Sequence, residues 1–161
     1  MNVLEQLCAE WNGYRGLFVR SNVKYGKRKK GGYEGEMDVV AYDPQKKLLY
    51  HYEVSFDASS WINRKQRISR KFQTARKHYR KLFLFPWKEI EQIAIVSFFR
   101  TQQRLGKGIQ IITLPDFVCQ ITDGVKTKDL LNQAVPEGYP LLRAIQIAQW
   151  GEKKRKKEKK A

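Results

Sequence analysis

The chain is poor in the side chains that most often hold metals or form covalent intermediates. It has two cysteines, Cys8 and Cys119, and two histidines, His51 and His78. The cysteines fit no CxxC pattern, and two of them cannot build a structural zinc site alone. The histidines are too few and too far apart for a helical metal pair, and they support neither a Ser-His-Asp nor a Cys-His arrangement. A disulfide stays open, although buried free thiols are the expectation. The stretch "RLGKGI" (104–109) lacks the spacing and following helix of a phosphate-binding loop and reads as a β-turn. Long apolar runs are missing too. The longest, around "IAIVSFF", is far short of the ~20 residues that span a bilayer. The N-terminal "MNVLEQLCAEW" carries two Glu residues and does not read as a signal peptide. The expectation is a soluble, cytoplasmic protein with no membrane partner.

Acid is scarce as well. Sixteen Asp and Glu stand against thirty-two Lys and Arg, so the 161 residues carry a formal charge of +16. Such a charge says little about fold but restricts partners, and it favours nucleic acid, an anionic membrane or an acidic protein. Apolar residues make up 42% of the chain, enough for one ordinary domain with a real core.

What is present reads as alternating helix and strand. Val3, Leu4, Leu7, Cys8 and Trp11 have helical spacing, and "NGY" ends that helix. Strands are expected at 16–23, at "EMDVVAYD" and at "KLLYHYEVSF", with residues 24–35 as a loop. "DPQK" is a turn signal that makes the second and third strands an antiparallel hairpin, pairing Asp43 with Lys46 or with Leu48. Ser59 or Ser60 can cap a helix that runs to about Lys81, with Trp61, Ile68, Phe72, Ala75, Tyr79 and Leu82 inward. "QIAIVSFF" (92–99) is apolar on both faces, as a central strand is. A strand at 109–114, a short helix from Pro115 and a last helix at about 140–150 follow. The fold class is α/β: a mixed sheet with an antiparallel three-stranded meander, flanked by helices. One domain covers 1–150, and the basic tail 151–161 is expected to be disordered.

Within this basic chain, carboxylates gather in the hairpin. Side chains alternate along a strand, so Asp38, Val40 and Tyr42 share a face, as do His51, Glu53 and Ser55. Either hairpin register puts Asp38 and Glu53 on one face, opposite or diagonal. Two carboxylates that close repel unless something neutralises them. Mg²⁺ (or Mn²⁺), which takes oxygen ligands, is the natural candidate, and such an ion supports phosphodiester cleavage. The other reading is two solvent-facing acids, each paired with a local cation.

"GEMDVVA" (35–41) followed by "YEVS" (52–55) resembles the core of the PD-(D/E)XK, or restriction-endonuclease-like, nucleases, nearest in pattern to the Holliday-junction-resolvase-like and small bacterial endonuclease-like branches. The element order over residues 1–115 is similar as well. The resemblance implies a restriction-endonuclease-like fold, with Asp38 and Glu53 as metal ligands. It makes Glu5 the acid contributed by the leading helix, with Glu10 competing and Glu36 as a secondary ligand. Ser55 stands at the catalytic position where the family has Lys, and a hydroxyl cannot supply that cation. Lys65 or Lys71 on the following helix can replace it; otherwise the domain binds without cutting.

Residues 60–81 hold nine Lys or Arg and no acid. Uncompensated like charges one turn apart destabilise a helix, so phosphate is the simplest partner for Arg64, Lys65, Arg67, Arg70 and Lys71. Lys24, Lys27, Arg28, Lys29 and Lys30 form a second basic wall before Asp38. Trp61, Tyr79, Phe83 and Trp87 read mainly as core. The expected function is a Mg²⁺-dependent nuclease acting on DNA, structured or branched by resemblance, with a homodimer allowed. The alternative is an inactive nucleic-acid-binding module of the same fold.

Overall fold

Asn2 begins the first helix, α1 (Val3–Tyr14). Its side chain accepts from the Glu5 amide while Glu5 reaches back to the Asn2 amide, a capping box that satisfies two orphan donors. The helix runs through "NGY" and stops at Gly16, whose φ of 86° is the left-handed conformation that glycine adopts without strain. The computed structural model describes residues 2–56, 59–97, 104–127 and 129–158.

Five strands form one sheet in the order β1-β2-β3-β4-β5: β1 (Phe18–Lys27), β2 (Tyr33–Asp43), β3 (Leu48–Ser55), β4 (Glu89–Val96) and β5 (Ile109–Thr113). The first three make an antiparallel meander, and β3, β4 and β5 run parallel. This is the mixed sheet expected from the sequence. The β2–β3 register is the longer of the two alternatives, Asp43 opposite Leu48, and Asp43 Oδ1 accepts from the amides of Gln45 and Lys46 at 3.0 Å each to close the turn. Strand β1 runs on into residues that read as loop, and it pairs with β2 as far as Lys27 and Tyr33.

The crossover from β3 to β4 is α2 (Trp61–Arg76) followed by the single turn α3 (Tyr79–Leu82). Ser60 caps α2 by accepting from the Asn63 amide. Ile68 and Phe72 pack with Ala94, Val96 and Leu105, while Ala75 and Tyr79 pack with Val23, Tyr25, Met37, Val40 and Leu49. Helix α1 lies on β1 and β2, and α2 on β2. Gly35, in the first quoted motif, is required by a close approach: an added Cβ would run into the Tyr25 ring.

The chain divides into two compact units, Met1–Leu114 and Pro115–Ala161, where the sequence reading has one domain to residue 150. The sheet is complete at Thr113, and the second unit has its own internal bonds. In it, α4 (Leu114–Val125) is followed by α5 (Pro140–Glu158). Buried Gln146 donates to the carbonyls of Val125 and Gln133 and accepts from the Val135 amide. The basic tail expected to be disordered continues α5 as far as Glu158, with Glu152 and Lys156 paired at 2.8 Å one turn apart, a spacing that supports a helix. Cys8 and Cys119 are both free; Cys8 is buried as expected, but Cys119 is exposed. No described helix is long and apolar enough to cross a membrane.

Candidate functional site at the end of the meander

The β2–β3 ladder stops at Val39 opposite Tyr52. One residue beyond, Asp38 replaces the missing rung with its side chain: Oδ2 accepts from the Val54 amide at 2.8 Å. Its other oxygen, Oδ1, lies 2.8 Å from the Lys71 ammonium. Glu53, on β3, reaches the same ammonium with Oε2. Two carboxylates from adjacent strands therefore converge on one cation carried by the next helix. Glu53 is 1% exposed and Asp38 9% exposed, while Lys71 is only half-buried and lines an open cleft.

The proton balance follows from that burial. Desolvation, then the charge of Asp38, pushes Glu53 well above the usual carboxylate range, and Lys71 pulls the other way without cancelling this. Burial alone would pull Lys71 down, but Glu53 and Asp38 outweigh it and raise it. The ammonium therefore stays charged. His51 lies behind Glu53, its Nε2 2.9 Å from Oε1. Burial, with Lys71 adding to it, lowers His51 to about 3, so the ring is neutral.

A stability prediction follows with a definite sign. Unfolded Glu ionises near pH ~4.3, whereas folded Glu53 keeps its proton to higher pH. Between those two values the folded chain binds more protons, so stability falls as pH rises through that window. Urea unfolding at about pH 5 and about pH 8 should show this loss in the wild type and a smaller one in Glu53→Gln. Equal losses would mean that Glu53 is not the protonated group.

The structure brings together some of the expected residues and separates others. Lys71, not Lys65, joins the carboxylates; Lys65 is exposed beside Trp61, Ile62 and Gln66. Ser55 is buried and its Oγ accepts from Arg67 Nη2 at 2.7 Å, so a guanidinium reaches the position where a lysine was expected. Glu5 has both carboxylate oxygens on Asn2, at 3.0 and 2.6 Å, and serves the helix start. Glu10 is buried and accepts from Gln6, and Glu36 pairs across the ladder with Lys24. Among the described residues no group of three or more His, Cys, Asp or Glu is arranged to hold a metal. The donor set that does converge is two hard carboxylates, which suits Mg²⁺, an ion that keeps waters and phosphate oxygens for its other positions.

Arg64 was expected on the nucleic-acid surface, but it is only 5% exposed. It falls on the inward stripe with Ile68, Phe72 and Ala75, one turn before Ile68. Arg67 and Arg70 remain exposed and line a cleft of about 660 Å³ with Asn63 and Lys71, facing Tyr25, Glu34 and Gly35 of the β1–β2 ribbon. Lys27, Arg28, Lys29 and Lys30 are exposed at the ribbon tip, where Gly31 and Gly32 take φ of 91° and 77°. Sequence reasoning put His51 on the face of Glu53 but did not give it a role, and it did not connect Tyr79 or Gln92 with the site. Asp57 lies outside the described residues.

No family model matches the chain, and no curated protein matches it. Among solved structures it is similar to the crystal structure of a protein of unknown function, AF1548, with a TM-score of 0.46 and 16% identity over 68% of this chain. The match covers 56% of that neighbour's length.

Proposed function

We propose that the chain is a metal-dependent nuclease that hydrolyses phosphodiester bonds of DNA. One observation carries the reading: Asp38 and Glu53, on adjacent strands, meet at Lys71 from the following helix, beside a cleft lined by Arg67 and Arg70. Asp38 and Glu53 would hold Mg²⁺ or Mn²⁺, which when bound supplies Lewis-acid polarisation of the phosphate and activation of water. Lys71 takes the part of the lysine missing at Ser55, holding positive charge where negative charge grows. Arg67 and Arg70 grip the phosphates on the near side of the cleft. The cations of the ribbon tip, Lys27 to Lys30, add a sequence-independent attraction for the backbone.

A second reading has its own support. Lys71 already occupies the meeting point of both carboxyl groups and Ser55 carries no charge, as in a domain that binds nucleic acid without cutting it. The test is incubation with plasmid, linear, single-stranded and branched DNA in Mg²⁺ or Mn²⁺, and again with chelator. Cleavage that chelator abolishes is the expected result. Salt-sensitive binding with no cleavage of any substrate replaces the nuclease with the binding module.

A further inference from the structure

We propose that Arg76, Gln92, Tyr79 and His51 form a positioning chain that fixes how Glu53 presents its carboxyl group. The inference rests on the reading of Glu53 as a site residue. The links of Arg76 and Gln92 have only one possible direction, and those of His51 follow from the tautomer in which the Tyr79 hydroxyl donates. Arg76 donates from Nε and Nη2 to Gln92 Oε1 at 3.0 and 2.6 Å, and arginine has no acceptor. The amide oxygen of Gln92 must therefore face Arg76, and its NH₂ faces inward. That nitrogen donates to the Tyr79 hydroxyl at 2.7 Å and to the Phe72 carbonyl at 3.4 Å. The Tyr79 oxygen is thus an acceptor, and its single hydrogen is free to go to His51 Nδ1, 2.6 Å away, which is the direction proposed. With Nδ1 accepting, the neutral ring carries its hydrogen on Nε2 and donates it to Glu53 Oε1 at 2.9 Å.

The chain is also rigid. Gln92, Tyr79, His51 and Glu53 are all buried. The His51 ring is held edge-on by Phe72 and Tyr79, at 4.8 and 5.8 Å between centroids. Buried polar links of this kind are costly unless they are satisfied, and every link from Arg76 to Glu53 Oε1 is hydrogen-bonded. One Glu53 oxygen is held by His51, which directs the other to Lys71 and Asp38. Outer partners that orient a ligating group typically change metal affinity or activity about 10–100-fold when lost.

Gln92→Glu tests the chain almost without changing volume. Its carboxylate can still accept from Arg76, but it also accepts from the Tyr79 hydroxyl instead of donating to it. The Tyr79 oxygen must then accept from His51 Nδ1–H, which leaves Nε2 as a bare acceptor against Glu53. Nitrogen-15 NMR of the full chain should show His51 as the Nε2–H tautomer in the wild type and the Nδ1–H tautomer in Gln92→Glu. In the same variant kcat should fall about 10–100-fold with KM for DNA little changed, and apparent Mg²⁺ affinity should weaken. Thermal unfolding checks that the variant stays folded. His51→Gln, which can accept from Tyr79 and donate to Glu53, should recover activity that His51→Leu loses. An Nδ1–H tautomer in the wild type overturns the proposal, as does an inverted ring with kcat and Mg²⁺ affinity unchanged. If the wild type cleaves nothing, the nuclease reading falls but the chain is still tested. The carbon-13 resonance of the Glu53 carboxyl should move in Gln92→Glu, and a resonance that stays put refutes positioning.

Discussion

Asp38→Asn is expected to abolish metal-dependent cleavage, by roughly 10³-fold or more, while leaving DNA binding intact. The size follows from removing one member of a catalytic unit that acts together. Asp38 has two separable jobs in the structure. Oδ2 closes the end of the hairpin through the Val54 amide, and Oδ1 supplies charge beside Lys71. The amide oxygen of Asn can still accept from Val54, so the fold should survive. Asp38→Ala removes that acceptor too and should cost a further ~1–3 kcal/mol for the buried amide left unpaired. If the carboxylate serves only the fold, Asn should cleave like the wild type and Ala should lose activity only as far as it loses stability. If it serves the chemistry, both are inactive and only Ala is unstable. Affinity for DNA should not fall in either, because Arg67, Arg70 and the ribbon-tip cations remain and an anion has left the cleft. Cleavage rates measured beside urea unfolding and salt-dependent binding separate the cases. An active Asp38→Asn would remove the nuclease reading.

The pairing of Asp38 with Glu53 was legible because a strand has a period of two and the "DPQK" turn leaves few registers. The choice of lysine was not, and helix geometry shows why. At about 100° per residue, the inward stripe of Arg64, Ile68, Phe72 and Ala75 has Lys71 about 60° to one side and Lys65 about 60° to the other. Periodicity finds the stripe but cannot say which flank turns toward Asp38. That depends on how α2 docks on the sheet. Arg67 lies on the flank of Lys71, one turn earlier, which explains why it arrives at Ser55. The chain behind Glu53 was out of reach for a different reason. Tyr79 and Gln92 join His51 only because the β3–α2–β4 crossover brings parallel strands together, so the contact spans 28 residues for Tyr79. Arg64 misled because a cation on a basic helix reads as surface, although its phase matches Ile68 and Phe72.

Lys71→Met should separate catalysis from cation binding by moving them in opposite directions. Lys71 makes the ion-pair contacts of both carboxylates, and its own charge is firmly kept. Losing it removes positive charge beside the reacting phosphate, and the cleavage rate should fall about 10²–10³-fold. The same change removes the protein's own competitor for the two carboxylates, so Mg²⁺ or Mn²⁺ should bind more tightly and raise Tm more than in the wild type. Stability without metal should drop. Breaking a buried pair can cost ~3–5 kcal/mol, but burial and Asp38 raise Glu53, so without Lys71 it can take up a proton and shed the uncompensated charge, which brings the expected loss nearer ~1–3 kcal/mol. Lys71→Arg should not restore the rate. A planar fork cannot take the place of a compact ammonium shared by two carboxylates from different strands. Calorimetric titration with Mn²⁺, alongside rates on plasmid DNA, reads both effects. If Lys71→Met cleaves at the wild-type rate, Lys71 is only a cover for the two carboxyl groups, and the cation that stands in for the lysine expected at Ser55 must be Arg67, already hydrogen-bonded to Ser55. If metal binds no better once the ammonium is gone, Asp38 and Glu53 were built to hold Lys71, and the binding module becomes the better description.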